Sequence, residues 1–195
     1  MKKIFILNGV GTSGKDSWSS FLNKYIPTYK ESIINLPKQV ARILGWDGSK
    51  TEEDRKFLSD LMDLSSNYND APFKYVVSKA MDFKADKIKG EVMVIDMRDP
   101  KDIDYAVKAF GAKTILIRNP NVPKIETNHA DANVENYKYD YIIENNGSLE
   151  QLDTCAKEFV QYVIKDDSKF PIGAHCIFDK NSGSIVFRCN RMLRD

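Results

Sequence analysis

Apolar residues in this chain fall into short continuous runs, and between those runs apolar residues recur at every third or fourth position. The continuous runs predict strands at residues 3–8, 32–36, 91–96, 114–118 and 139–143. The spacing of three and four predicts amphipathic helices between them. Continuous apolar strands separated by helices are typical of a three-layer α/β/α fold, in which helices cover both faces of a five-stranded parallel sheet.

The predicted helices begin at residues that favour a helix start. A capping side chain or a proline opens each helix after the first, at Pro37, Thr51, Asp70, Asp99 and Ser148. Thr51 is followed three positions later by Asp54, which resembles a capping box. Gly45 and Gly111 end two of the helices.

Three of these helices lie within residues 37–89, which is more than one crossover between parallel strands requires. Periodicity predicts a buried face on the second and on the third of these helices. The face of the second helix consists of Phe57, Leu58, Leu61 and Met62. The face of the third consists of Phe73, Val76, Val77, Ala80 and Met81. We expect residues 37–89 to form a helical insertion that makes the second wall of a cleft.

The last part of the chain has a different pattern. Residues 174–178 and 184–188 are mostly apolar and flank a turn of Asn, Ser and Gly at 181–183, which predicts a β-hairpin. We expect this hairpin to belong to an extension, residues 166–195, of a main domain at residues 1–165. The hairpin either caps an edge of the sheet or makes the contact of a homodimer.

Composition excludes several classes of protein. The chain has 29 basic and 28 acidic residues, so no overall field draws it to nucleic acid or to a membrane surface. No apolar run has the length of a membrane span, and the sequence enters a strand at once without a secretory signal. Three cysteines do not make a secreted disulfide framework. These features predict a cytoplasmic protein.

The segment Gly-Val-Gly-Thr-Ser-Gly-Lys joins the first strand to the first helix, which is the context of a phosphate-binding P-loop. Its glycines let the backbone curl around an anion, and the helix N-terminus adds a favourable dipole. Lys15 is placed to reach the outer phosphates. The residues predicted to bind phosphate are Gly9, Gly11, Thr12, Ser13, Gly14, Lys15, Asp16 and Ser17. The alternative is a glycine-rich turn without a ligand.

Asp16 departs from the usual P-loop, in which Ser or Thr follows the lysine and its hydroxyl meets Mg²⁺. Ser17 comes one position later. A carboxylate is also a hard oxygen ligand, so Asp16 either holds Mg²⁺, directly or through water, or complements the helix dipole.

Ligands of such parallel sheets bind beyond the carboxyl ends of the strands. The P-loop, Asp96, Arg98 and Arg118 all follow predicted strands, so we expect them to share one crevice. Arg98 either meets phosphate or forms a structural ion pair with Asp96, and Asp96 either holds Mg²⁺ through water or orients Arg98. The chain lacks the Asn-Lys-x-Asp and Asp-x-x-Gly segments of a GTPase, and its size favours a small-molecule kinase over an ATP-driven motor.

The order of several short motifs resembles that of phage-type deoxynucleoside monophosphate kinases. Residues 13–17, Ser-Gly-Lys-Asp-Ser, look like the Ser-Gly-Lys-Asp-Thr form of their P-loop. Residues 44–58 are similar to their substrate-side region, residues 95–100 to their Asp-x-Arg-x-Pro segment, and residues 140–149 to their closing strand-to-helix turn.

This resemblance implies transfer of the γ-phosphoryl group of ATP to a (deoxy)nucleoside monophosphate, with Mg²⁺ as cofactor, in the host cytoplasm if the protein is phage-encoded. Lys15 and the loop amides would hold the β and γ phosphates, and Arg98 would meet the transferring or acceptor phosphate. Arg42 and Arg55 are candidates for the acceptor phosphate, and Trp46 either stacks near the base or belongs to the core. The metal candidates are Asp16, Ser17 and Asp96.

The resemblance also implies that the helical insertion at residues 37–89 binds the substrate and that residues 119–138 form a lid. The lid departs from the family pattern. His129 is kept as a hydrogen-bonding lid residue, but the Ser and Glu of the family's His-x-Ser-Glu segment are absent. No arginine lies between Asn119 and Lys138, which leaves Arg118 and Lys124 as substitute cations. Two other functions therefore stay open: a P-loop protein that binds nucleotide with weakened or no transfer, and a kinase of another small metabolite.

Overall fold

The computed structural model describes residues 2–122, 134–165, 176–179 and 183–189. The strands in these residues are β1 Lys3–Asn8, β2 Thr28–Ser32, β3 Val92–Asp96, β4 Lys113–Arg118, β5 Tyr141–Glu144, β6 Cys176–Asp179 and β7 Ser184–Arg188. They form one seven-stranded sheet in the order β2-β3-β1-β4-β5-β7-β6. Neighbouring strands run parallel except for β6, which runs antiparallel to β7.

The helices are α1 Lys15–Tyr25, α2 Asn35–Ile43, α3 Glu52–Asn69, α4 Ala71–Lys84, α5 Pro100–Phe110 and α6 Leu149–Phe159, and α6 continues as π-helical backbone over Val160–Lys165. Capping side chains are confirmed at three of the predicted helix starts, whereas Asp70 precedes α4 without a capping hydrogen bond from its side chain. Thr51 and Ser148 each accept a hydrogen bond from the backbone three residues on, and Asp99 caps α5. No described helix combines the length and the apolar character that a membrane span requires.

Helices cover the sheet on both faces, which confirms the predicted α/β architecture. Alternate side chains of β1 point to opposite faces, so Phe5 and Leu7 pack with α1 and α6, whereas Ile4 and Ile6 pack with α4 and α5. Phe159 of α6 lies at the centre of the first layer. Its ring makes edge or tilted contacts with four other buried or half-buried rings, those of Phe5, Trp18, Tyr141 and Phe187, at centroid distances of 5.2–5.5 Å.

The second strand is not where the apolar run at residues 32–36 predicted it. β2 covers Thr28–Ser32, and α2 begins at Asn35, two residues before Pro37. A proline fits the first turn of a helix because the N–H groups there have no intrahelical partner. β2 is an edge strand, and β3 is its only neighbour among the described strands. It therefore needs fewer apolar residues than the inner strands.

The helical insertion is less buried than its periodicity predicted. No residue of α3 is fully buried, and Phe57, which was expected on its inner face, is exposed. Met81 of α4 was expected to face inward and is 59% exposed, because the buried stripe of α4 runs through Val76, Ala80 and Phe83. These helices contact one another more than they contact the sheet.

The predicted C-terminal hairpin is confirmed, and it belongs to the main sheet. β7 lies parallel to β5, with Ile143 opposite Phe187, so the hairpin caps what would otherwise be an apolar edge. The observed sheet therefore has seven strands and not the predicted five, because both strands of the hairpin, β6 and β7, join it. Turn chemistry indicates a hairpin, but it does not indicate on which distant strand the hairpin packs.

Candidate active site

The candidate site lies where three strands end side by side. β1 is central in the sheet and pairs with β3 on one side and β4 on the other. Because all three run parallel, the loop after β1, the residues after β3 and the residues after β4 meet at one edge. Leu7 is opposite Asp96 in this register, and Asn8 is opposite Leu116.

The loop after β1 has the tightly curled backbone that its glycines predicted. Gly9 and Gly14 have φ of 147° and 103°, and the Ser13 N–H donates to the Val10 carbonyl at 3.3 Å. A Cβ on Gly9 would lie 2.5 Å from the Ile117 carbonyl oxygen, and one on Gly14 would lie 2.4 Å from the Asn145 amide nitrogen. Glycine is therefore required at both positions, by conformation and by lack of space.

Two asparagines hold this loop, and sequence reasoning gave neither of them a role. The Asn145 amide donates to the Ser13 carbonyl at 2.9 Å. Asn8 accepts from the Gly9 N–H and donates to the Tyr139 hydroxyl, both at 2.8 Å, and that hydroxyl donates to the Val134 carbonyl. The position of Asn8 directly before the glycines was the available signal, whereas its pairing with Tyr139 depends on the fold.

Lys15, the first residue of α1, folds back over the loop. Its ammonium group donates to the carbonyls of Gly9 and Val10, at 2.5 and 2.7 Å. The positive charge of Lys15 therefore lies against the loop backbone. Gly11 has open space around it, and Ser17 is half-buried in the first turn of α1.

A lysine that sequence reasoning missed joins two of the predicted metal candidates. Lys30 of β2 donates to the Asp16 carboxylate, and its ammonium nitrogen lies 3.2 Å from Asp96 Oδ2. The Lys30 hydrogen bond lowers the pKa of Asp16, with Lys15 and Lys38 acting the same way at longer range. Lys30 lies within a polar edge strand and belongs to no motif, so nothing in the sequence marked it.

The three charges influence one another across the site. Burial raises the pKa of Asp96, although the nearby Lys30 and Lys15 oppose that shift. Burial acts to lower the pKa of Lys30, but the Asp96 and Asp16 carboxylates outweigh it and raise that pKa. The ammonium form of Lys30 is therefore favoured in the folded protein.

The residues present suit a hydrated Mg²⁺ ion. Asp96 Oδ1 is buried without a hydrogen-bond partner, so one carboxylate oxygen at this edge is left to accept a ligand. Mg²⁺ is commonly held by one or two carboxylates together with substrate phosphates and waters. Among the described residues, no three His, Cys, Asp or Glu side chains gather into a metal site, so phosphate oxygens and water would have to complete the coordination.

The predicted arginines are in different situations. Arg98 is half-buried, two residues after Asp96 at the same sheet edge. Arg118, at the end of β4, forms a two-point ion pair with Glu135, at 3.2 and 2.6 Å, which raises the pKa of Arg118. A catalytic role for Arg118 would therefore require it to leave Glu135.

The predicted acceptor residues lie on the insertion. The Arg42 guanidinium is 5.8 Å from the centre of the Trp46 ring, and both residues lie where α2 ends. Trp46 is half-buried, and it is not among the core residues. Arg55 is exposed on α3 and donates to the Lys50 carbonyl at 3.2 Å. His129 and Lys124 lie outside the described residues.

Two cavities lie outside the loop at residues 9–14, and the first of them is further along the same sheet edge, beside the end of β7. One, of about 330 Å³, lies between α6 and β7 and is lined by residues that include Cys155 and Cys189. The other, of about 430 Å³, lies between α4 and α5 beside Met81 and Tyr105. The candidate site is defined by the backbone loop and by the charged side chains beside it.

No protein-family model and no curated protein matches the chain. Solved structures similar to it include an unliganded sugar kinase from Janibacter sp. HTCC2649, 14% identical over 83% of this chain and 95% of that one, with a TM-score of 0.49. A mutant of the APS kinase CysC from Mycobacterium tuberculosis is 14% identical over 83% and 98% of the two chains (TM-score 0.42), and shikimate kinase from Aquifex aeolicus is 14% identical over 84% and 98% (TM-score 0.43). These similarities assign no activity and no substrate to this chain.

Proposed function

We propose that this protein is a P-loop kinase that transfers the γ-phosphoryl group of ATP to a (deoxy)nucleoside monophosphate. The observation that carries the proposal is the curled loop at residues 9–14, seated at the end of the central strand with Lys15 and Asp96 beside it. Backbone N–H groups, a helix N-terminus and a lysine together make a site for a polyphosphate.

The chain's residues act by position and charge. The loop amides and Lys15 bind the β and γ phosphates, and Arg98 binds the transferring or acceptor phosphate. Asp16, Ser17 and Asp96 are the residues that would hold Mg²⁺, which neutralises phosphate charge when bound. No general base is needed, since the acceptor phosphate is already anionic.

The insertion supports a nucleotide as the acceptor. Ser32 is opposite Asp96 in the register of β2 and β3, so α2 begins at the same sheet edge as the P-loop. Lys38 of α2 is close enough to help lower the pKa of Asp16. Two side chains at the end of α2 suit the two parts of a nucleotide: the Arg42 guanidinium can bind a phosphate, and the Trp46 indole can stack on a base. Arg55 of α3 adds a second cation.

The test is a coupled ADP-release assay with ATP and Mg²⁺ against a panel of nucleoside and deoxynucleoside monophosphates, extended by small metabolites that lack a base. We expect turnover with at least one of them. Turnover only with acceptors that lack a base would favour a kinase of another small metabolite. ATP binding by calorimetry without turnover on any acceptor would favour a nucleotide-binding protein, the alternative suggested by the arginine-poor segment 119–138.

Asp16→Ala should raise the Mg²⁺ concentration needed for half-maximal activity by about tenfold, because one carboxylate of the metal site is lost. The measurement is a Mg²⁺ titration of initial rates, with Asp60→Ala as the matched control, since Asp60 is an exposed carboxylate paired with Lys56. If Asp16 only complements the dipole of α1, the midpoint will not move and stability will fall by about 0.3–1 kcal/mol.

Arg98→Lys should lower kcat by about tenfold or more, because lysine keeps the charge but loses the planar fork that binds phosphate at two points. The free energy of unfolding should stay unchanged in urea denaturation. Arg188→Lys is the matched control, since Arg188 pairs with Glu144 at 3.0 Å and belongs to β7, which does not neighbour β1 or β3 in the sheet. Full activity of Arg98→Lys, or its failure to fold, would remove Arg98 from phosphate binding.

A further inference from the structure

Lys30 connects three elements around the P-loop. It belongs to the edge strand β2, and its side chain is 32% exposed. Its ammonium group bonds the Asp16 carboxylate from the first turn of α1 and lies 3.2 Å from Asp96 Oδ2 at the end of β3. The single positive charge of Lys30 therefore pairs with two carboxylates that come from different parts of the chain.

Lys30 contacts both carboxylates, and Lys15 also acts on both of them electrostatically. Asp96 Oδ1 is buried and has no hydrogen-bond partner, so Lys30 satisfies only one oxygen of that carboxylate. Such a donor set is better matched by a divalent cation than by a single ammonium group.

We propose that Lys30 is the resident counter-ion of the metal-binding carboxylates and that its ammonium group competes with a divalent cation for Asp16 and Asp96. The inference rests on the proposed kinase function, from which the metal role of the two carboxylates comes. Lys30 is a positioning residue in this account. Metal alone binds weakly while Lys30 holds the carboxylates, and the phosphates of a bound nucleotide give the ammonium group a new partner.

A purely structural ion pair makes a different prediction. If Lys30 only fastened β2 to α1 and β3, its removal would destabilise the fold and leave metal affinity unchanged or weaker. If Lys30 competes with metal, its removal strengthens metal binding even where stability falls. Metal affinity measured without nucleotide therefore separates the two roles.

The experiment is a titration of the nucleotide-free protein with Mn²⁺, followed by electron paramagnetic resonance of the free ion. Lys30→Met should bind Mn²⁺ about tenfold more tightly than the unmodified chain, because a positive charge within a few ångström of the ion is removed. Lys56→Met is the matched control, since Lys56 is 75% exposed and pairs with Asp60 on α3, and it should bind as the unmodified chain does. Unchanged or weaker binding by Lys30→Met would overturn the proposal.

Lys30→Arg serves as a charge-preserving variant and should keep the weak Mn²⁺ affinity.

If Lys30→Met fails to fold, the proposal is tested by nuclear magnetic resonance of the unmodified protein labelled with ¹⁵N-lysine. The ammonium resonance assigned to Lys30 should shift when Mg²⁺ and ADP are added together, and an unmoved resonance with nucleotide bound would overturn the proposal. Because the Mn²⁺ titration needs neither turnover nor an acceptor, its result is independent of the kinase assay, and the two proposals fail separately.

Discussion

Lys15→Ala should lower kcat by about 10²–10³ with the acceptor that the assay identifies. Removing one positioned positive charge from a phosphoryl-transfer site costs about this much, because the charge stabilises the transition state in a preorganised position. Stability should be almost unchanged, since the Lys15 side chain lies over the loop, where it donates to the Gly9 and Val10 carbonyls, and is not part of the buried core. Single-turnover rates and urea denaturation measure the two effects separately.

The matched control for Lys15→Ala is Lys24→Ala in the same helix. Lys24 lies in the last turn of α1, where it pairs with Asp153 at 3.2 Å, so it tests the loss of a lysine from α1 away from the loop. It should keep full activity. Equal activity of the Lys15→Ala variant and the unmodified chain would show that the loop does not act on the transferred phosphate.

Phe159→Ala should lower the free energy of unfolding by about 3–5 kcal/mol, the largest stability effect that we expect from a single substitution in this protein. Phe159 has no exposed surface and contacts the rings of Phe5, Trp18 and Phe187. Alanine would leave a cavity between the sheet and the helices of one face, where the surrounding rings cannot all close in. Guanidinium denaturation followed by fluorescence measures the loss.

Leu149→Ala is the control in the same helix. Leu149 is an apolar residue in the first turn of α6, but it is mostly exposed, so its removal should change stability by less than about 0.5 kcal/mol. A cost below about 1 kcal/mol for Phe159→Ala would contradict the central place of this ring in the core.

The parts of the molecule that sequence predicted correctly depend on residues a few positions apart. The capping boxes at Thr51 and Ser148 join a side chain to the backbone three residues on, and the same spacing is visible in the sequence. The curled loop at residues 9–14 is equally local, because its glycines and lysine are consecutive. Continuous apolar runs identified β1, β3 and β4 for the same reason.

The parts that sequence did not predict depend on distant contacts. β2 was displaced by several residues because an edge strand packs fewer apolar side chains, while the apolar run beside it belongs to a turn and to α2. The pairing of Lys30 with Asp16 and Asp96, and of Asn8 with Tyr139, exists only once the strands are aligned. A polar residue in a strand gives no indication of which distant group it will meet.

The central place of β1 has a consequence for synthesis on the ribosome. β1 is made before its neighbours, yet its hydrogen-bonding partners are β3 and β4, which end at Asp96 and Arg118. Until those strands emerge, Phe5, Ile6 and Leu7 have no sheet to enter, and long-range parallel pairing of this kind forms slowly. A nascent chain that has not yet reached Arg118 therefore carries every residue of the loop at 9–14 without the strand pairing that positions this loop. Its apolar strand β1 then needs protection from aggregation.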